Sequence, residues 1–182
     1  MDTTTRQLFA GLRSEEADVR YAAFCDIIKL TDKRVDWAYE VWDELLRNLG
    51  HANNHMRAQA TQMLCNLAKS DPENRMLVDF DKVMAVTRDA RFVTARHTLQ
   101  AVWKVGEAGE RQRALVLDQL TRRFDECATE KNCTLIRYDI LAGLRTLYDA
   151  THDESIKARA LQLIECEADP KYRKKYTTLW KH

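Results

Sequence analysis

A chain of 182 residues, 45% of them hydrophobic, can bury one substantial core or carry about four to five two-helix repeats of ordinary size. Lysine and arginine (29) almost balance aspartate and glutamate (28), so the long-range field is weak and does not steer the whole molecule toward nucleic acid or anionic lipid. Two prolines and five glycines, set against abundant Ala, Leu, Arg, Lys and Glu, disfavour a sheet-and-turn architecture and favour helix. No window holds the roughly 18 uncharged apolar residues that a membrane span needs, and the first residues, MDTTTRQLFAGL, lack a basic start followed by an apolar run. A cytoplasmic protein without membrane contact is expected. The five cysteines match no zinc or disulfide framework and read as reduced, mostly buried residues; no metal or cofactor is expected.

In chain order, the first predicted helix covers about Thr4 to Leu12, with Leu8, Phe9 and Leu12 on one side, and Gly11 and Ser14 mark the break after it. Ser14 starts a capping sequence for a helix to about Leu30, with Glu15, Glu16 and Asp18 at the positive end of its dipole. A helix from about Arg34 to Leu49 carries the stripe Trp37, Val41, Leu45 and Leu49, closed by Gly50 as a left-handed cap. Asn54 is the expected N-cap of the next helix, ending near Lys69. Asp71-Pro72-Glu73 reads as cap, first-turn proline and acid, opening a weaker segment, Met76 to Arg88, with a break expected at Asp79 to Asp81. After a central helix and a turn at Gly106 to Gly109, helices are expected from Arg111 to about Thr129, from Asn132 to about Ala150, from Asp153 to about Glu167, and from Asp169-Pro170 to near Trp180.

The central segment, Phe92 to Gly106, sets the architecture. On a helical projection its apolar residues Phe92, Ala95, Leu99, Ala101, Val102, Trp103 and Val105 span an arc of about 200°. One neighbour cannot cover so wide an arc, so the segment is expected to be flanked on two sides, as an internal helix of a stacked array is.

A fingerprint recurs on alternate helices, in degenerate form in its third copy: an apolar residue, usually a base at +1, a small or branched residue at +4, and apolar residues at +8 and +11. It reads Val19-Arg20, Ala23, Ile27, Leu30; Met56-Arg57, Ala60, Leu64, Leu67; Thr94-Ala95, Thr98, Val102, Val105; and Ile136-Arg137, Ile140, Leu144, Leu147. First residues at 19, 56, 94 and 136 give a spacing of about 40 residues, holding two helices per unit. From about Ser14 onward the chain resembles the HEAT/armadillo-like repeat family, most closely bacterial HEAT-repeat proteins of unassigned role. The resemblance implies an all-α fold, a right-handed α-solenoid of about five HEAT-like helix pairs, in one domain spanning residues 1–182. It leaves function open, because such arrays include scaffolds, adaptors, alkylpurine-DNA glycosylases and a metal-dependent hydroxylase. The hydroxylase relatives carry repeated His-Glu dipeptides as iron ligands, and none occurs here.

The +1 arginines, Arg20, Arg57 and Arg137, project into the apolar sector and read as structural residues whose guanidinium reaches a turn carbonyl or an acid. A different sector holds Gln59, Gln62 and Asn66, then His97, Gln100 and Lys104, then Asp139. Stacked in register, these line one polar strip on the concave face that second helices form in HEAT-like arrays. The strip is either a binding groove or a solvated face. Its amides suit peptide backbone or polar side chains, while the mix of Asp, Lys and His argues against a phosphate track. The expected function is a non-enzymatic interaction module or scaffold with a protein or peptide partner. The runner-up is a DNA-binding or glycosylase-like member, in which Trp37, Trp42 or Trp103 would stack a flipped base and Asp139 supply a carboxylate, nucleic acid then being the partner. His51 and His55, four apart, and the Cys127/Cys133 pair lack the further ligands a metal site needs. The last helix is expected to cap the array, with Tyr172, Tyr176, Leu179 and Trp180 inward and Lys171, Arg173, Lys174 and Lys175 in water.

Overall fold

A computed structural model describes residues 1–181, and over them the chain is all-helical, with ten α-helices and no strand. These are α1 (Thr3–Gly11), α2 (Ala17–Thr31), α3 (Ala38–Asn48), α4 (Asn54–Leu67), α5 (Met76–Ala85), α6 (Phe92–Leu99), α7 (Glu110–Glu126), α8 (Cys133–Thr151), α9 (Glu154–Glu165) and α10 (Pro170–Leu179), with short 3₁₀ turns after α4, α5 and α7 and a longer one, Val102–Ala108, after α6. None of these helices is long and apolar enough to cross a membrane.

The starts of α1, α4, α9 and α10 follow local cap chemistry, while Asn132, the residue before α8, makes no side-chain cap bond. Asp153 and Asp169 accept the backbone N–H of Ser155 and Lys171, and Pro170 takes the first helical position, where its missing N–H costs nothing. At α4 the cap is Asn53, one residue before the expected Asn54, its side chain accepting from His55 N. Elsewhere tertiary contacts overrule the local signals. Asp71 does not open a helix at Pro72: its two carboxylate oxygens take the N–H groups of Arg75 and Met76, Asn74 turns through the left-handed region at φ 57°, and α5 begins at Met76. The break expected at Asp79 to Asp81 is absent, because Asp79 is buried and accepts the Trp42 indole N–H at 3.0 Å, together with Lys82. Gly50 has no positive φ and is no left-handed cap.

The central segment departs most from its projection. It runs as α-helix only to Leu99, then tightens into 3₁₀ turns from Val102. Three β-branched residues, Val93, Thr94 and Thr98, weaken its helical preference, and Thr98 bonds back to the Thr94 carbonyl. The Gln100 carbonyl left at the break accepts the Trp103 indole N–H at 3.0 Å. Two glycines admit the break to its neighbours. A Cβ on Gly106 would stand 2.6 Å from Leu147 Cδ2 on α8, and Gly143 of α8 lies against the Leu99 carbonyl and Trp103. Thr94, Ala95, Thr98, Leu99, Val102 and Val105 are nevertheless all buried, so the segment is covered on both sides as its wide apolar arc requires.

Packing runs in order along the chain. α2 packs on α4, α4 on α6, α6 on α8, and α8 on α10, while α5 packs on α7 and α7 on α9. One contiguous core runs through them, from Trp42 and Leu64 through Phe80, Leu120 and Ile140 to Ile156 and Tyr176. Most polar links between elements span 30 to 43 residues, with Lys104 to Asp32, at 72, and Arg137 to Phe124, at 13, outside that range. Asn66 to Ile28 spans 38 residues, Trp42 to Asp79 37, Gln112 to Asn74 38, Gln119 to Asp81 38, Arg113 to Asp153 40, and Tyr176 to Thr134 42. On α10, Tyr176 and Trp180 are buried, and Lys171, Arg173, Lys174 and Lys175 are exposed.

Candidate binding face

The candidate residues lie on α4, on α6 and its C-cap, in the 3₁₀ turns Val102–Ala108 and on α8, and α2 packs beside α4 in the same succession. The +1 arginines occupy the seams of this layer as structural groups. Arg20 donates to the Ser14 and Glu15 carbonyls. Arg57 grips Asp89 with two bonds, at 2.5 and 2.9 Å, and also closes the His51–Ala52 turn. Arg137 donates to Glu167 and to the Phe124 carbonyl. In the third copy of the sequence fingerprint the +1 position is Ala95, and the base stands at Arg96, whose guanidinium forks onto Asp139 of α8 at 2.7 and 2.9 Å.

Two of the seven candidate residues are removed from a ligand's reach. Asn66 is buried, and its amide donates to the Ile28 carbonyl and to Thr31 Oγ1, closing the end of α2. Asp139 is 3% exposed and saturated by Arg96 and by Gln100 Nε2 at 3.2 Å. Both are polar residues whose partners lie on the adjacent helix, so a projection of one helix cannot distinguish them from a solvated face. Lys104 is partly withdrawn as well: it pairs with Asp32 at 3.2 Å and lies over the Trp103 ring. That bond and the lysine's charge hold the Asp32 carboxyl below its ordinary range. Lys69 adds a second bond to this corner through the Asp32 carbonyl, and pairs with Glu107.

The remaining four stay accessible. His97 and Gln100 are exposed on α6 and at its C-cap, and Gln59 and Gln62 are half-buried on α4. Gln62 donates its NH₂ group to the Ala58 carbonyl of its own helix, which leaves its side-chain carbonyl as an acceptor. Spacings of three and four residues put His55, Gln59 and Gln62 on one stripe of α4, and Val93, His97 and Gln100 on one stripe of α6. Beside Gln59 lies a depression of about 270 Å³ lined by Tyr21 and Arg20 of α2 and by His55 and Met56 of α4. Tyr21 is 67% exposed and Val93 62%. Neither was a sequence candidate, since an apolar or aromatic residue at helical spacing reads as core; only its position outside the +4, +8 and +11 fingerprint marks it.

The groups needed for base-flipping chemistry are otherwise engaged. Trp37 and Trp42 are buried, Trp103 bonds to its own turn, and Asp139 is held by Arg96. Among the described residues no cluster of His, Cys, Asp and Glu could hold a metal ion, and His51 Nδ1 accepts the Asn53 N–H. A further cleft of about 300 Å³, between α7 and α9, is bridged by the Arg113–Asp153 pair at 3.3 Å. No protein-family model matches the sequence, and no curated protein is similar to it.

Proposed function

We propose that the chain is a HEAT-like, right-handed α-solenoid of about five helix pairs, acting as a non-enzymatic scaffold that binds a protein or peptide segment along the exposed face of α2, α4, α6 and α8. The repeat reading is supported by the separations of the inter-element links. Most of them fall near one repeat length, as expected when each unit contacts chiefly the next, while Lys104–Asp32 reaches across 72 residues. The binding reading rests on one observation: three accessible amides and one imidazole on two successively packed helices and the C-cap of the second, Gln59, Gln62, His97 and Gln100, lie on single stripes, flanked by charges already paired as Lys104–Asp32 and Arg96–Asp139. Gln59 and His97 can donate and accept, while Gln62 and Gln100, whose NH₂ groups are engaged, keep carbonyl acceptors; this mix matches the N–H and C=O of a polypeptide better than the uniform charge of a phosphate chain. Tyr21 and Val93 add apolar contact at the edges.

A display library of random peptides, selected on the intact chain, tests this. Binders should lose affinity on the order of 10- to 100-fold when Gln59, Gln62 and His97 are together replaced by alanine, as three net hydrogen bonds are lost. The melting temperature should stay within about 2 °C, since these are surface positions. Selected peptides that bind the triple variant as tightly as the parent would remove the proposal.

A further inference from the structure

Cys127 follows α7 and Cys133 opens α8, and across the loop between them their Sγ atoms stand 3.1 Å apart. The loop is held in that shape from outside. Arg123, fully buried, forks onto Glu130 in the middle of the loop at 2.6 and 2.9 Å and reaches back to the Thr87 hydroxyl and carbonyl. A second guanidinium, that of Arg137, lies 4.4 Å from the Phe124 ring centre and donates to the Phe124 carbonyl, which Cys127 Sγ also approaches at 3.2 Å. The two guanidinium groups flanking the loop oppose, without cancelling, the rise that burial imposes on the Cys127 thiol. A disulfide bond is about 2.05 Å long, so the sulfurs need to close by only about 1 Å.

We propose that Cys127 and Cys133 are a redox-active dithiol that low-molecular-weight disulfides of the glutathione class oxidise to an intramolecular disulfide. Cys133 is half-exposed and Cys127 fully buried, which orders the steps. The Cys133 thiolate attacks one sulfur of the oxidant, forming a mixed disulfide and expelling one thiolate. Cys127 then attacks the Cys133 sulfur, breaking the mixed disulfide and expelling the second thiolate, which leaves with the Cys127 proton. Two protein thiols and one disulfide oxidant give one protein disulfide and two free thiols. The two electrons pass from the cysteines to the oxidant. Burial and the bond to Cys133 push the Cys127 thiol up to about 12, so the more accessible Cys133 attacks first, and Cys127 follows because its sulfur already stands 3.1 Å from that of Cys133. Cys65, buried among apolar side chains and likewise pushed up to about 12, stays outside this chemistry.

The native chain is equilibrated over a series of oxidised-to-reduced glutathione ratios, quenched with acid, alkylated and digested with trypsin. Trypsin cuts after Lys131, so the disulfide joins the peptides 124–131 and 132–137 and is read directly by mass. The joined pair should appear at ratios that leave Cys65 fully alkylated. In Cys127→Ser the glutathione adduct should accumulate on Cys133 to at least tenfold above the parent, because the resolving thiol is gone. Two results overturn the proposal. One is both cysteines alkylated throughout the series at ratios that already modify the exposed Cys166. The other is a stable adduct on Cys133 at equal levels in parent and Cys127→Ser.

Discussion

Asp139 takes both arms of the Arg96 guanidinium, and the two partners are unequally buried: the Asp139 side chain is 3% exposed and that of Arg96 36%. Removing the arginine strands a buried carboxylate with only Gln100 beside it, whereas removing the aspartate leaves a cation that can turn into water. Arg96→Ala should therefore cost about 3–5 kcal/mol and Asp139→Ala distinctly less, about 1–2 kcal/mol. Chemical denaturation of both variants checks the asymmetry; equal losses would mean that Asp139 is solvated.

The break after α6 makes opposite predictions for two glycines. Gly143 lies inside α8 with its nearest neighbours 3.6 Å from an added Cβ, so Gly143→Ala should stabilise by about 0.5–1 kcal/mol through helix propensity. Gly106 has Leu147 Cδ2 at 2.6 Å, and Leu147 is itself fully buried and cannot swing aside. Gly106→Ala should destabilise by about 1–3 kcal/mol. Thermal melts of the pair read the signs.

Acid should loosen the seam between α4 and α6. The bonds from Arg57 hold the Asp89 carboxyl below its ordinary value of 3.8. A carboxylate whose folded pKa is depressed contributes stability that is complete above the ordinary value and lost as pH falls through the folded one. The gap in melting temperature between the parent and Asp89→Asn should accordingly be widest near pH 7 and close below about pH 4. A gap independent of pH would contradict the ion pair.

Titration with duplex DNA at varied salt tests the runner-up reading. The net charge is only +1, and Arg57, Arg96, Lys104 and Arg137 are each paired with an acid, which withholds these four from phosphate. Weak binding with a shallow salt slope is expected, and a steep slope would point to the exposed bases of α10.

Legibility from sequence followed the range of the interactions involved. The starts at Asp153 and Asp169-Pro170 were readable because a cap is complete within three residues. Arg20, Arg57 and Arg137 were readable because a base inside an apolar sector has only turn carbonyls or acids to reach. The end of α6 at Leu99 was not, since it is shaped by Gly143 and Leu147 from a helix some 40 residues later. Asn66 and Asp139 were misplaced for the same reason: their polarity is visible in sequence, but the Thr31 and Arg96 that consume it are on neighbouring helices.

The binding face itself is tested most directly by photocrosslinking. A benzophenone amino acid is placed at His97 on α6 or, as the control, at Val78, which is 80% exposed on α5. A display-selected peptide should crosslink from position 97 and not from position 78. Crosslinking from 78 alone would put the partner on another surface and contradict the account.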